Sequence, residues 1–121
     1  MDSDGGWPTD KLTALRLGRI LVAEVPASAA GRRGFVSIRP AKEPEDATAE
    51  VDGWTRSSRS RAFVVDHWEY DEEWLNTWDY DIGAVHLFRD EAATEADLDQ
   101  VLARRGVRPG DFDYHWRTAA P

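Results

Sequence analysis

The residues best suited to act on another molecule lie between positions 66 and 81, in the stretch DHWEYDEEWLNTWDYD. This acidic aromatic segment holds seven carboxylates, five tryptophan or tyrosine rings and one histidine, with no lysine or arginine. Tryptophan and tyrosine are enriched at the energetic centres of protein interfaces, and clustered carboxylates attract cationic groups over a distance. The segment therefore predicts a surface that binds a basic protein partner.

Within this segment we expect the rings to anchor the partner and the carboxylates to steer its approach. The candidate anchors are Trp68, Tyr70, Trp74, Trp78 and Tyr80, and the candidate steering carboxylates are Glu69, Asp71, Glu72, Glu73, Asp79 and Asp81. The alternative is structural: the tryptophans pack in the core of an aromatic-rich domain, and the acids only solvate the opposite face. Both interpretations stay open from the sequence.

Carboxylate and histidine side chains also allow an enzyme interpretation. If the strands that carry Asp66 and His86 pair, one register sets these two residues opposite each other, and a shift by one residue changes their faces. An aspartate can orient a histidine as a general base, but the same couple is also a common structural hydrogen bond. The alternative function is a small hydrolase or isomerase with such a pair in a tryptophan-lined pocket, for which Glu69 and His67 are further candidates.

Other chemistries have little support. With no cysteine, the chain has no disulfide, no thiolate nucleophile and no zinc site of the cysteine type. His67, His86 and His115 are too dispersed for a recognised metal-binding pattern, and no G-x-S-x-G motif is present. We therefore assign no catalytic residue, no metal and no cofactor.

A second charged feature is the run of Arg56, Arg59 and Arg61 among serines. Phosphate binding is conceivable, but no glycine-rich cradle accompanies the run. We expect these arginines to lie over the acidic aromatic segment in exposed ion pairs, each contributing about 0 to 1 kcal/mol.

The overall charge narrows the range of partners. The balance of 15 Lys plus Arg against 23 Asp plus Glu gives a formal charge of −8, which disfavours direct contact with nucleic acid or an anionic membrane. No apolar run reaches the length of a membrane helix, and the N-terminal residues do not resemble a signal peptide. We expect a cytoplasmic protein, and its preference for arginine over lysine indicates a GC-rich bacterial genome.

The elements that would position these residues alternate between strand and helix patterns. Thr94 to Arg105 is the clearest helix, because Thr94 and Asp97 form a capping pattern at its start and Gly106 ends it. One or two helical turns are expected at 71–78. The predicted strands cover residues 15–25, 35–38, 62–70 and 82–88, with a helix from Thr9 as an alternative to the first, and a short last element covers 112–116.

The sequence thus predicts a small α+β protein with an antiparallel sheet of about four strands and the C-terminal helix packed on one face. Residues 1–8 form a flexible leader that only Trp7 could anchor. Residues 9–121 form a single domain with a long, mostly exposed loop at about 40–61, which Trp54 pins to the body.

The predicted function is non-enzymatic blockade of a basic protein. In size and charge the chain is similar to small acidic immunity and antitoxin proteins, an analogy of physical type alone. A further alternative is an accessory subunit whose rings are buried in an oligomer, and the oligomeric state is left open.

Overall fold

The computed structural model describes residues 6–41 and 43–121 and confirms an α+β fold. The leader residues 1–5 lie outside the described part. The elements in chain order are α1 (Thr9–Arg16), β1 (Leu21–Val25), β2 (Arg32–Pro40), α2 (Pro44–Val51), β3 (Phe63–Asp71), β4 (Val85–Ala92), α3 (Glu95–Arg104) and β5 (Asp113–Tyr114), with single 3-10 turns at Pro109–Asp111 and His115–Arg117.

The strands form one antiparallel sheet in the order β4-β3-β2-β1-β5, with five strands rather than about four. The longest pairing joins β2 to β3 over nine residues, and β4 continues from β3 as the edge strand of a hairpin. A bulge between His67 and Trp68 leaves Leu87 of β4 without an opposite residue. Such a bulge twists an edge strand and re-aims its side chains.

The main core lies between one face of this sheet and the two helices α1 and α3. It contains Leu12 and Leu15 of α1 together with the buried stripe of α3, Leu98, Val101 and Leu102. The sheet contributes alternate residues, because successive side chains of a strand point to opposite faces. These residues are Val36 and Ile38 of β2, and Phe63 and Val65 of β3. The opposite face carries only a small buried cluster of Val22, Phe35 and Leu75. Most of that second face is therefore open, and we call it the open face.

The C-terminal helix forms as the sequence predicts. The Thr94 hydroxyl accepts a hydrogen bond from the Asp97 backbone N–H at 3.1 Å. At the other end Gly106 adopts a left-handed φ of 70°, and the Val107 N–H returns to the Leu102 carbonyl at 3.0 Å. Each contact satisfies a backbone group that the helix leaves unpaired.

The strand predicted over residues 15–25 is wrong in its first half. Residues 9–16 are helical because Leu12 and Leu15, three positions apart, both face the core. Gly18 then turns the chain with a φ of 82°, and the strand begins only at Leu21. The β-branched residues that favoured a strand, Val22 and Val25, do lie in it.

The segment predicted as a loop at about 40–61 contains helix α2. This helix has Pro44 in its first turn and a capping box between Glu43 and Asp46, and only Ala49 is buried. Trp54, expected to pin the segment, is 53% exposed. The segment is held instead by Arg61, which is 2% exposed and pairs with both carboxylate oxygens of Asp46 at 2.8 and 2.7 Å.

The arginines of this segment therefore do not lie over the acidic aromatic segment. Arg61 also donates to the backbone carbonyls of Arg16 and Arg56 at 2.7 and 2.8 Å. Arg56 pairs with Glu43 at 2.6 Å and with Asp46 at 3.1 Å. Arg59 forms no ion pair with any described residue. Arg56 and Arg61 therefore pair with carboxylates at the start of α2, those of Glu43 and Asp46, and not with the acidic aromatic segment.

At the N-terminal end, Trp7 is packed into the core. Its ring is 4% exposed, lies 5.7 Å from the ring of Phe112, and donates its indole N–H to Asp99 of α3 at 2.9 Å. Among the described residues, no helix is long and apolar enough to cross a bilayer.

Candidate functional site

The β3–β4 hairpin positions the acidic aromatic segment. Its first six residues lie in β3, and the rest belong to a series of turns that we call the hairpin loop, residues 72–84. Because side chains alternate along a strand, Asp66, Trp68 and Tyr70 lie on the open face, while His67 and Glu69 lie on the helix-bearing face. The segment is thus divided between three environments.

Glu69 is a buried structural carboxylate. It accepts hydrogen bonds from the backbone N–H and the hydroxyl of Ser28 at 2.7 and 2.8 Å, and from Arg32 at 3.3 Å. Burial alone would raise the pKa of Glu69, but these hydrogen bonds outweigh it, so the pKa lies below its usual value. Glu69 ties the β1–β2 turn to β3 and is not available to steer a partner.

This lowered pKa predicts a pH dependence of stability. The ionised Glu69 contributes stability that is fully present above its unfolded pKa and is lost as the pH falls through its lower folded pKa. We expect Glu69→Gln to reduce the loss of stability that occurs as the pH falls below the usual pKa of a glutamate, measured by urea unfolding at several pH values. Glu73→Gln, at an exposed position, is the control that keeps the wild-type slope, and equal slopes for wild type and Glu69→Gln would contradict the assignment.

Asp66 is a buried carboxylate that contacts three basic side chains. Its Oδ1 lies 2.8 Å from Arg89 Nε and 2.9 Å from His86 Nε2, and its Oδ2 lies 3.3 Å from Arg39 Nε. Burial by itself raises the pKa of Asp66, but the hydrogen bonds from Arg89 and His86 outweigh it, and the pKa is lowered. Asp66 is therefore ionised at neutral pH and fixes the positions of both arginines.

The Asp66–His86 contact does not come from the register that we predicted. Asp66 is opposite Arg89, and His86 is opposite Trp68, because the bulge at Leu87 shifts the pairing. The hydrogen bond therefore runs diagonally across the two strands. The His86 ring stacks on Trp68, with centroids 4.5 Å apart and planes 12° apart.

A cavity of about 320 Å³ lies on the open face beside this cluster. Asp66, Trp68, Tyr70 and the two arginines line it, but His86 does not. The ring nitrogen of His86 that meets Asp66 is already used, and neither carboxylate oxygen of Asp66 is without a basic neighbour. The arrangement can bind and orient a ligand, but the contact with Asp66 does not direct His86 into the cavity as a base. His115 does line the cavity, with its Nε2 3.0 Å from the Pro121 carbonyl oxygen.

The hairpin loop holds the exposed part of the acidic aromatic segment. Asp71 starts it, accepting from the Glu73 N–H at 3.1 Å through its side chain and from the Leu75 N–H at 3.1 Å through its carbonyl. The bond between the Asp71 carbonyl and the Leu75 N–H closes one turn of helical type, but no helix forms over residues 71–78. Of the loop residues, only Leu75 is buried. Trp78 is 98% exposed.

The predicted site residues are therefore distributed as follows. Glu69 is buried; Trp68, Tyr70, Asp71 and Trp74 are half-buried; Glu72, Glu73, Trp78, Asp79, Tyr80 and Asp81 are exposed. The exposed group shares the hairpin loop, and Tyr80 connects it to the open face by an edge contact with Tyr70 at 6.4 Å. Trp68 and Tyr70 stack with centroids 6.2 Å apart and line the cavity.

Sequence reasoning missed Arg39 and Arg89 as members of a site. Each is a single arginine in a strand, and only the pairing of β2, β3 and β4 brings both to Asp66. It also missed the exposed apolar residues at the end of the loop and in β4, Ile82, Val85 and Leu87. The sequence predicted a strand over residues 82–88, and because β4 is an edge strand its apolar side chains can stay exposed.

The described residues contain no group of three or more histidine, aspartate or glutamate side chains placed to hold a metal ion. Comparison of the chain with protein-family models, curated proteins and solved structures finds no match. Function is therefore argued from the geometry of this chain.

Proposed function

We propose that this protein is a non-enzymatic binder that blocks or sequesters a basic protein through its hairpin loop. The observation that carries this proposal is Trp78, whose side chain is 98% exposed. An indole left in water offers a large apolar area to bury against a partner, and tryptophan is among the residues most enriched at interface hot spots. In size and charge this proposal matches small acidic immunity and antitoxin proteins, which act by blockade of this kind.

The charges around Trp78 support a cationic partner. Glu73, Asp79 and Asp81 are exposed, and none forms an ion pair with a residue that the structure describes. Their mutual repulsion is relieved when a partner supplies lysine or arginine, and the total charge of −8 adds a long-range attraction. Glu72 contributes less, because its charge acts on Arg33 of this chain.

Apolar residues extend the same surface. Tyr80, Ile82, Val85 and Leu87 are between 41% and 46% exposed, and all follow Trp78 within nine positions. Exposed apolar residues grouped in this way are typical of interaction surfaces. The absence of cysteine and the preference for arginine support a cytoplasmic, bacterial setting for the complex.

An enzyme is the second candidate, favoured by the 2.9 Å contact between Asp66 and His86 beside the Trp68 ring. Two facts weigh against it. His86 does not line the cavity, and Arg89 and Arg39 also occupy the oxygens of Asp66. We therefore place the binder first.

A pull-down with two charge-matched variants tests the binder. The first is Glu73→Gln, Asp79→Asn, Asp81→Asn on the hairpin loop. The second is Glu45→Gln, Glu50→Gln, Asp52→Asn, three exposed acids on and after α2. We expect wild type and the α2 variant to retain the same basic protein from a lysate of the source organism, and the loop variant to lose it.

The identified protein is then titrated against purified wild type and Trp78→Ala. We expect a one-to-one complex and a loss of affinity of about 30-fold or more with Trp78→Ala. Equal retention by both charge variants would reduce the interaction to general charge attraction and contradict the proposal. Light scattering tests the accessory-subunit alternative. That alternative would be favoured if wild type forms a stable oligomer and Trp78→Ala dissociates it.

A further inference from the structure

The open face of the sheet carries a second site, which is separate from the hairpin loop and contains two arginines. Its floor is formed by alternate residues of neighbouring strands: Phe35 and Ser37 of β2, and Asp66, Trp68 and Tyr70 of β3. Ala120 and Pro121 form one wall. The volume of about 320 Å³ is at the lower end of the range for small-molecule pockets, about 300 to 1,000 Å³.

The two arginines of this cavity use only part of their binding capacity. Arg39 and Arg89 each approach Asp66 through Nε, and their terminal nitrogens form no hydrogen bond with the described residues. Their side chains are 45% and 52% exposed. A guanidinium held through Nε still presents its terminal N–H groups, which suit a planar carboxylate or a phosphate.

The side chains that line the cavity include two guanidiniums and one carboxylate, that of Asp66, although the chain as a whole is acidic. Arg89 and His86 share the Oδ1 atom of Asp66, and Arg39 approaches its Oδ2. Glu91 follows on the same face of β4, but it does not line the cavity. The single carboxylate of Asp66 can balance the charge of only one of these two arginines.

Aromatic rings lie beside these cations. Trp68 stacks on Tyr70 with planes 17° apart, and Tyr70 meets Phe35 at a centroid distance of 6.0 Å. Trp68 and Tyr70 are only half-buried, so they offer apolar area to a ligand in the cavity. Rings and cations side by side suit a molecule that has both an aromatic and an anionic part.

We propose that this cavity binds a small planar aromatic molecule carrying one oxyanion. The oxyanion meets the terminal nitrogens of Arg39 and Arg89, and the ring packs against Trp68 and Tyr70. Asp66 is a positioning residue, because it holds both guanidiniums. This site is independent of the proposed binding of a basic protein, since no exposed residue of the hairpin loop lines the cavity.

Two probes of the same shape test the site on the unmodified protein: 2-naphthoate and its neutral amide, 2-naphthamide. Binding is followed by calorimetry and by the six tryptophan indole N–H signals in NMR. We expect 2-naphthoate to bind with a Kd of about 1 mM or tighter, and the amide to bind about tenfold more weakly or worse. The Trp68 signal should shift while that of Trp78 stays in place.

Three variants test the cations. Arg39→Gln and Arg89→Gln should each weaken 2-naphthoate binding about fivefold or more, and Arg108→Gln, which removes the same charge from an exposed position outside the cavity, should not. Thermal melts check that each variant is folded. If a glutamine variant unfolds, Arg89→Lys, which keeps a cation for Asp66 but loses the planar fork, takes its place with an expected intermediate loss.

Several results would overturn the site. These are equal affinity for the acid and the amide, equal weakening by Arg108→Gln, a shifted Trp78 signal in place of Trp68, or no binding of 2-naphthoate at about 10 mM. None of them tests the binding of a basic protein, so this site and the proposed function succeed or fail separately.

Discussion

Replacing Arg61 with leucine is expected to lower the free energy of unfolding by about 3 to 5 kcal/mol. Arg61 is buried and forms four hydrogen bonds, two to Asp46 and one each to the carbonyls of Arg16 and Arg56. Leucine makes none of them and leaves two carbonyls and a carboxylate without these donors. Because the hydrogen bonds from Arg61 hold the pKa of Asp46 well below its usual range, the loss should be larger at neutral pH than in acid.

Urea unfolding followed by circular dichroism measures this effect. Arg59→Leu is the matched control two positions away: Arg59 is exposed and has no ion-pair partner among the described residues, so we expect a change within about 0.5 kcal/mol. Similar small losses for both variants would mean that the hydrogen bonds of Arg61 to Arg16 of α1 and Asp46 of α2 do not stabilise the fold. A loss that is larger in acid than at neutral pH would contradict the role given to Asp46.

Helix α3 and strand β3 could be predicted because their signals are local. In α3, a capping threonine, a buried stripe at three- and four-residue spacing and a terminal glycine all lie within thirteen residues. In β3, Phe63 and Val65 alternate with outward residues and pack in the core. Each pattern contains all the information that its element needs.

Helix α2 escaped prediction because little of its stability comes from its own apolar residues. Only Ala49 is buried, and the helix is held mainly through Asp46, whose partner Arg61 lies fifteen positions away. The same reason explains the misplaced arginines, since charge alone did not distinguish α2 from the acidic aromatic segment. Long-range polar contacts leave no periodic trace in the sequence.

The candidate site was only partly predictable for a related reason. Residues 66–81 were identified by their composition. Which of them are buried depends on the alternation of side chains along β3 and on where β3 ends, so that Glu69 is buried, Trp68 is half-buried and Trp78 is exposed. The Asp66–His86 contact depends further on a bulge at Leu87. No rule of spacing places a bulge, so the site's geometry required the fold.

The second large effect separates the two kinds of tryptophan in this chain. Trp7→Ala is expected to lower the free energy of unfolding by about 3 to 5 kcal/mol, because it removes a ring that is 4% exposed and leaves a cavity beside Phe112. It also removes the indole donor of Asp99 on α3. Urea unfolding monitored by circular dichroism, rather than by tryptophan fluorescence, gives the comparison.

Trp78→Ala should stay within about 0.5 kcal/mol of wild type in the same experiment, because its ring contacts almost nothing in the fold. The contrast shows which tryptophan stabilises the fold and which is available to bind a partner. If Trp78→Ala destabilised the protein as strongly as Trp7→Ala, the Trp78 ring would have to be packed against the body, as Leu75 of the same loop is. The observation that carries the proposed function would then be lost, whatever the pull-down retained.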